Sequence, residues 1–319
     1  MSWYVFALIC TLGWGAADLF YKKGSETEDK DSHLKTAVWV GLVMGVAALA
    51  LVPFAETVTF SKKLPEQMLK YLPASASYII SMVVGYAGLR YLELSIVSPL
   101  QNASGAFAMI AMLVFYGIRG NIGEVKEEFI AIDYIGTGLI IVGVVALAIV
   151  EKKLSAEEEK KEEKKYRIGF LALLFPLTYC IFDTIGTAAD GIILDEESGM
   201  GLGEIDVLIL YGLTFFFAGI IAYLVLWKKN RRPYRLFEKK EISTKGIAAL
   251  CEEAGQFFYV YAMAKEPVLA APLIASYCIV SVILSRLFLK EKLKMRQYSC
   301  IFTVIIGIVL LGIAEGLKG

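Results

Sequence analysis

Apolar residues in this chain are gathered into ten blocks, at residues 2–20, 37–54, 74–92, 97–118, 131–150, 168–189, 205–227, 246–264, 268–287 and 297–315. Each block is about 18 residues or longer and carries few charges, and roughly 20 apolar residues in a helix suffice to cross a bilayer core. Backbone amides inside hydrocarbon must be satisfied within the segment itself. The pattern therefore predicts an all-α membrane protein of ten transmembrane helices. Hydrophobic residues make up 57% of the 319, against about 45–50% in soluble domains, and the blocks leave little sequence for a soluble domain. The first block lacks a basic leader and a small-residue cleavage site, so it is read as a true span, with the mature chain starting near Met1.

The last two blocks constrain each other. Only LKEKLKM, residues 289–295, separates their ends, and so short a connection makes the two helices antiparallel neighbours. The stretch contains Ala270, Ala271, Pro272 and Leu273 at a helix start, then Leu287-Phe288-Leu289-Lys290-Glu291-Lys292-Leu293, then a helix with Gly307 and Gly312. In these residues it resembles the penultimate and last helices of EamA-type drug/metabolite transporters. The resemblance implies ten helices, a transport function, a cavity formed by helices of both halves, and cytoplasmic termini.

An internal repeat is visible as well. Leu12, Trp14 and Asp18 in TLGWGAAD align with Leu177, Tyr179 and Asp183 in PLTYCIFD; Glu93, Pro99 and Leu100 align with Glu266, Pro272 and Leu273; Tyr134 and Gly143 align with Tyr298 and Gly307. Residues 1–150 and 168–319 thus form two five-helix repeats, and an odd number of spans inverts the second copy in the membrane. Chance similarity of apolar helices is the alternative. Between the halves lies a charged linker, EKKLSAEEEKKEEKKYR at residues 151–167, either a helix extension or a solvated tether.

Most of the 32 lysines and arginines fall in the odd-numbered connections, among them Lys22, Lys23, Lys152, Lys153, Lys228, Lys229, Arg231, Arg232, Lys290 and Lys294. Positive-inside logic places those basic odd-numbered loops in the cytoplasm and both termini outside. Charge and resemblance disagree on the termini, and we follow the charge; accessibility of a tag on either terminus decides the matter.

Acids within spans stand out, because a charge at the bilayer centre costs about 2.5–3.5 kcal/mol even on the lenient insertion scale. Glu252 and Glu253 lie near the middle of the eighth block, and Gln256, Tyr259 and Met263 continue the face of Glu252 at helical spacing. The repeat equates Glu252, Glu253 and Gln256 with Ile79, Ile80 and Val83, so one copy alone has turned polar. One of the two glutamates is expected to face a central cavity; a buried structural pair is the other reading. Asp18 has Lys22 one turn on, which suggests an interfacial ion pair, whereas Asp183 has Thr187 there and is the stronger functional candidate. As aligned repeats, both acids also fit a framework role. Trp14, Tyr179, Tyr259 and Tyr277 offer faces for a cationic or apolar substrate, or plain packing. Gln101 and Asn102 follow Pro99, as Ser276 and Tyr277 follow Pro272; these four are read as cavity lining, with interhelical hydrogen bonding the alternative.

The five cysteines lie in apolar blocks without ligand spacing, and His33 sits in a polar loop, so neither metal nor cofactor is expected. Formal net charge is zero, which gives no field for nucleic acid. There is no phosphate-binding GxxxxGK[ST] loop and no HExxH or GxSxG, which argues against a primary pump and against an enzyme. The expected function is secondary-active transport of a small neutral or cationic organic metabolite across a prokaryotic plasma membrane, by alternating access around a central cavity. The expected partners are that substrate, the lipid bilayer and protons, the last bound at Glu252 or Glu253. Two other readings stay open: an uncoupled exporter or facilitator of sugar or amino acid, and a non-transporting membrane receptor or scaffold.

Overall fold

Helices are the only regular elements among the described residues of the computed structural model, which covers residues 1–319 apart from 26–28, 56–59, 121–122, 124–128, 160–171, 173, 196–198, 292–293 and 319. The first three spans are α1 (Trp3–Gly24), α2 (Ser32–Leu51) and α3 (Phe60–Gly88). The fourth is broken into α4 (Leu94–Asn102) and α5 (Ser104–Arg119), the latter stopped by Gly120 at a φ of 86° that favours glycine. Then come α6 (Ala131–Glu159), α7 (Leu174–Leu194), α8 (Glu204–Asn230) and α9 (Ile247–Lys265). The ninth span is broken into α10 (Pro267–Ala275) and α11 (Tyr277–Leu284), and α12 (Met295–Lys318) is last.

Eight of the helical segments are long and apolar enough to cross a membrane. Together they make this an integral, all-α membrane protein. The two long helices outside that set are α3 and α9. Both pack inside the same bundle, and both are diluted by polar residues, Ser75, Ser77 and Ser81 on α3 and Glu252, Glu253 and Gln256 on α9. The charged connector is helical as far as Glu159, an extension of α6; residues 160–167 lie outside the described set, as does most of the start of the sixth span.

Both broken spans are interrupted one turn after a proline, at Ala103 after Pro99 and at Ser276 after Pro272. The chain there tightens to i→i+3 bonds, Ala106 N–H to Ala103 O and Ile279 N–H to Ser276 O. Side chains take up carbonyls near each break. Asn102 Nδ2 donates to Ser98 O at 2.8 Å, and Ser276 Oγ donates to Leu273 O. In a membrane interior, such a break persists only where these groups find partners.

Long antiparallel seams build the bundle: α8 lies along α2, α12 along α6, α1 along α9 and α3 along α7, with α5 on α10 and α4 on α11 at the centre. Two seams close on glycine. A Cβ at Gly41 would lie 2.8 Å from Gly219 Cα, and one at Gly307 would lie 2.6 Å from Gly136 O, so the backbones touch where any side chain would hold them apart. At one end of the chain, Trp3 Nε1 donates to Glu315 at 2.7 Å and ties α1 to α12.

Odd-numbered connections are also laced together. Lys229 and Asn230, at the end of α8, both donate to Asp31 just before α2. Burial alone would push the Asp31 carboxyl up, but these two donors outweigh it and hold it below the usual carboxylate range. Further on, Lys245 pairs with Glu241 at 2.8 Å, and Tyr234 donates to the same carboxylate at 2.7 Å.

Candidate functional site

A central cavity of about 50 Å³ lies between the two halves. Nine of the residues singled out from the sequence line it: Trp14, Asp18, Gln101, Asn102, Tyr179, Asp183, Glu252, Tyr259 and Tyr277. They arrive from α1, α4, α7, α9 and α11, so helices of both halves contribute. Three expected residues do not line it. Glu253 is half-buried elsewhere on α9, because one residue further turns a helix by about 100°. Gln256 is buried one turn beyond Glu252, where its Nε2 has no partner. Ser276 serves the helix break through Leu273 O.

The carboxylates are held differently. Asp18 accepts hydrogen bonds of 2.7 Å from Ser98 Oγ on α4 and from Ser281 Oγ on α11. The ion pair expected from Lys22 is absent: Lys22 Nζ instead donates to the carbonyls of Leu89 and Leu92, each at 2.6 Å. Asp183 accepts from Ser104 Oγ at 2.6 Å. Glu252 lies near the Trp14 indole, whose Nε1 donates to the Glu252 backbone oxygen at 3.2 Å. Trp14 in turn stacks on Tyr259 at 5.1 Å and meets Tyr277 edge-on at 5.7 Å. Glycines admit these rings. A Cβ at Gly255 would lie 2.3 Å from the Trp14 ring, and one at Gly85 would lie 2.7 Å from the Tyr179 ring. Gln101 is 5% exposed and lines the cavity, yet its Nε2 has no partner.

Four further tyrosines were not legible in the sequence. Tyr21, Tyr78, Tyr86 and Tyr211 all line the cavity, and on sequence alone they are indistinguishable from packing aromatics. Tyr78 is the most informative. Its hydroxyl contacts Thr187 Oγ1 at 3.0 Å and the Tyr259 hydroxyl, and one layer beyond it Tyr71 donates to the buried Asp190 at 2.7 Å. Leu89, which accepts from Lys22, stands about 27 Å along the α3 axis from Tyr71 at 1.5 Å per residue. The cavity is thus bracketed by a tyrosine contact near the middle of α3 and a lysine contact just past its C-terminal end. At the lysine end Glu291, in the connection before α12, accepts from the N–H groups of Leu94 and Ser95 at 3.2 and 3.1 Å, capping α4. A volume of about 50 Å³ admits only a few waters, so this conformation is constricted.

No curated protein sequence matches this chain. A solved structure described as "Crystal structure of protein" has 11% sequence identity, with 99% of each chain covered and a TM-score of 0.64; at that identity the likeness is one of fold. The EamA-like transporter family matches residues 1–149 and 198–313, which includes both broken spans and most of the residues around the cavity. The match spans more than four-fifths of the sequence, and the chain belongs to the EamA-like transporter family.

Proposed function

We propose that this protein is a proton-coupled secondary transporter of a small organic cation, exposing one central site alternately to the two sides of the membrane. One observation carries the reading. Asp18, Asp183 and Glu252 share a single cavity, and among the described residues none of the three joins an ion pair. Carboxylates grouped inside a membrane without a fixed countercharge suit a mobile cation or protons. A cation and protons compete for the same oxygens, and that mutual exclusion couples the two flows. Aromatic faces at Trp14 and Tyr259 would add cation–π attraction in a site largely free of water.

Alternating access would come from residues 1–150 and 168–319 acting as two oppositely inserted units, with the basic odd-numbered connections in the cytoplasm. The pairing of helices supports this. Exchanging the halves carries the α1–α9 seam onto the α7–α3 seam, and each of the α2–α8 and α6–α12 seams onto itself. The ring of Trp14 on Gly255 likewise has its counterpart in the ring of Tyr179 on Gly85. These contacts equate Glu252 with Met82, in place of the Ile79 suggested by the sequence alignment.

The test is uptake into proteoliposomes of an organic amine chosen by thermal-shift screening. With Glu252→Gln, uptake driven by a pH gradient is expected to fall at least tenfold. Full pH-dependent uptake by that variant would reject the assignment, and uptake indifferent to the gradient in the parent protein would make it a facilitator.

A further inference from the structure

Beside the central cavity lies a second hollow of about 250 Å³, enclosed by α2, α3 and α8. Its floor is Val40, Met82, Tyr86 and Phe215, all buried. Its rim includes Ile221 and Val225, 62% and 45% exposed on the flank of α8, a helix apolar enough to cross the membrane. The hollow therefore opens sideways, toward lipid. Met82 and Tyr86 line both spaces, so the partition between them is one layer of side chains thick. The Tyr86 ring lies against the Tyr21 ring at 4.7 Å, whereas methionine is unbranched and changes rotamer readily. Met82, though buried, is the more adaptable part of the partition.

We propose that this hollow receives an apolar tail of the substrate, whose ammonium head sits among Asp18, Asp183 and Glu252. The proposal rests on the transporter reading above and narrows its substrate class to amphipathic cations with an alkyl or aryl tail. The two volumes support it. A space of about 50 Å³ accommodates a small head group and little else, and the larger space beside it has no polar lining to accept that head. When Met82 swings aside, the two become one L-shaped site, polar at one end and oily at the other.

Tetramethylammonium and hexyltrimethylammonium, both permanently charged, are the probes, titrated against the purified protein in nanodiscs. Each added methylene buried from water is worth about a fourfold gain in affinity. Partition into the bilayer adds equally for every variant, so the informative quantity is the preference for the hexyl over the methyl compound, compared between proteins. Ala218→Phe fills the hollow from its rim, and Val83→Phe fills it from α3. Each is expected to cut that preference at least tenfold, with thermal unfolding used to confirm that at least one variant folds. An unchanged preference in a folded variant overturns the tail site and leaves the transporter reading standing. Failure of both ammonium ions to bind saturably would overturn the cationic reading and this inference together.

Discussion

The helices α3 and α9 flank the same cavity and, under the proposed repeat, stand in matching places, yet one presents Met82 and the other Glu252. Both are the least apolar of the long helices, but for different reasons: past its charged first turns, at residues 60–70, α3 gains its polarity from serines and tyrosines, α9 from acids and a glutamine. Duplicated scaffolds need not duplicate chemistry. A carboxylate on both sides would double the cost of charge in the membrane, about 2.5–3.5 kcal/mol for each, and would close off the apolar hollow behind Met82. Under the proposed reading, α9 would then serve the charged head while Met82 on α3 borders the hollow for the tail.

The comparison is broken most directly at Glu252. Beyond its loss of gradient-driven uptake, the Glu252→Gln protein is expected to unfold no earlier than the parent on heating, because no ion pair is lost; a marked fall in midpoint would make this carboxylate structural. Next in size is Met82→Glu, which makes the two helices alike. It is expected to destabilise the protein by about 2.5–3.5 kcal/mol, read as a lowered unfolding midpoint in detergent, and unchanged stability would show that this position is already hydrated.

An acid with a partner sharpens the contrast. Asp31 lies outside the spans, and its carboxyl is held low by Lys229 and Asn230 against the pull of burial. A depressed carboxylate contributes stability above its unfolded pKa, and the contribution is lost as pH falls through the lower folded value. Lys229→Met is therefore expected to cost about 0.5 kcal/mol at neutral pH, a figure reduced for solvent screening of the exposed lysine. The deficit should vanish below about pH 3–4, and a deficit that persists there would point to lost packing. Smallest of all, Glu253→Gln is expected to leave transport within about twofold, since Glu253 does not line the cavity; a larger loss would return it to the site.

Where charge or proline interrupts an apolar block, the sequence was readable. It showed the order of the spans, the two proline-marked helices and the acids Asp18 and Asp183; both acids and both broken spans reach one cavity. It failed where every face of a helix is compatible with a membrane. Whether Glu252 or Glu253 turns inward depends on how α9 is rolled against α1, and no polar stripe on α9 was wide enough to decide it. Tyr21, Tyr78, Tyr86 and Tyr211 were missed for the same reason, because they differ from lipid-belt aromatics only in what they meet across the bundle. Lys22 shows a third limit. One turn from Asp18 it invites a local ion pair, but the carbonyls of Leu89 and Leu92, distant in sequence, take its proton donors.

The glycine contacts in the α2–α8 and α6–α12 seams have a mechanical corollary. Where Gly41 meets Gly219 and Gly136 meets Gly307, main chain rests on main chain, so at these points no side chain would have to be withdrawn if the two units roll over each other as proposed. Each behaves like a plain bearing, tolerant of small rotation and intolerant of any shim, so that even a single methyl inserted at Gly41 would wedge its pair apart. Under the proposed alternating access, the freedom to rock would then be set by four hydrogen-sized side chains, two of them beside the apolar hollow that Val40 and Ala218 line.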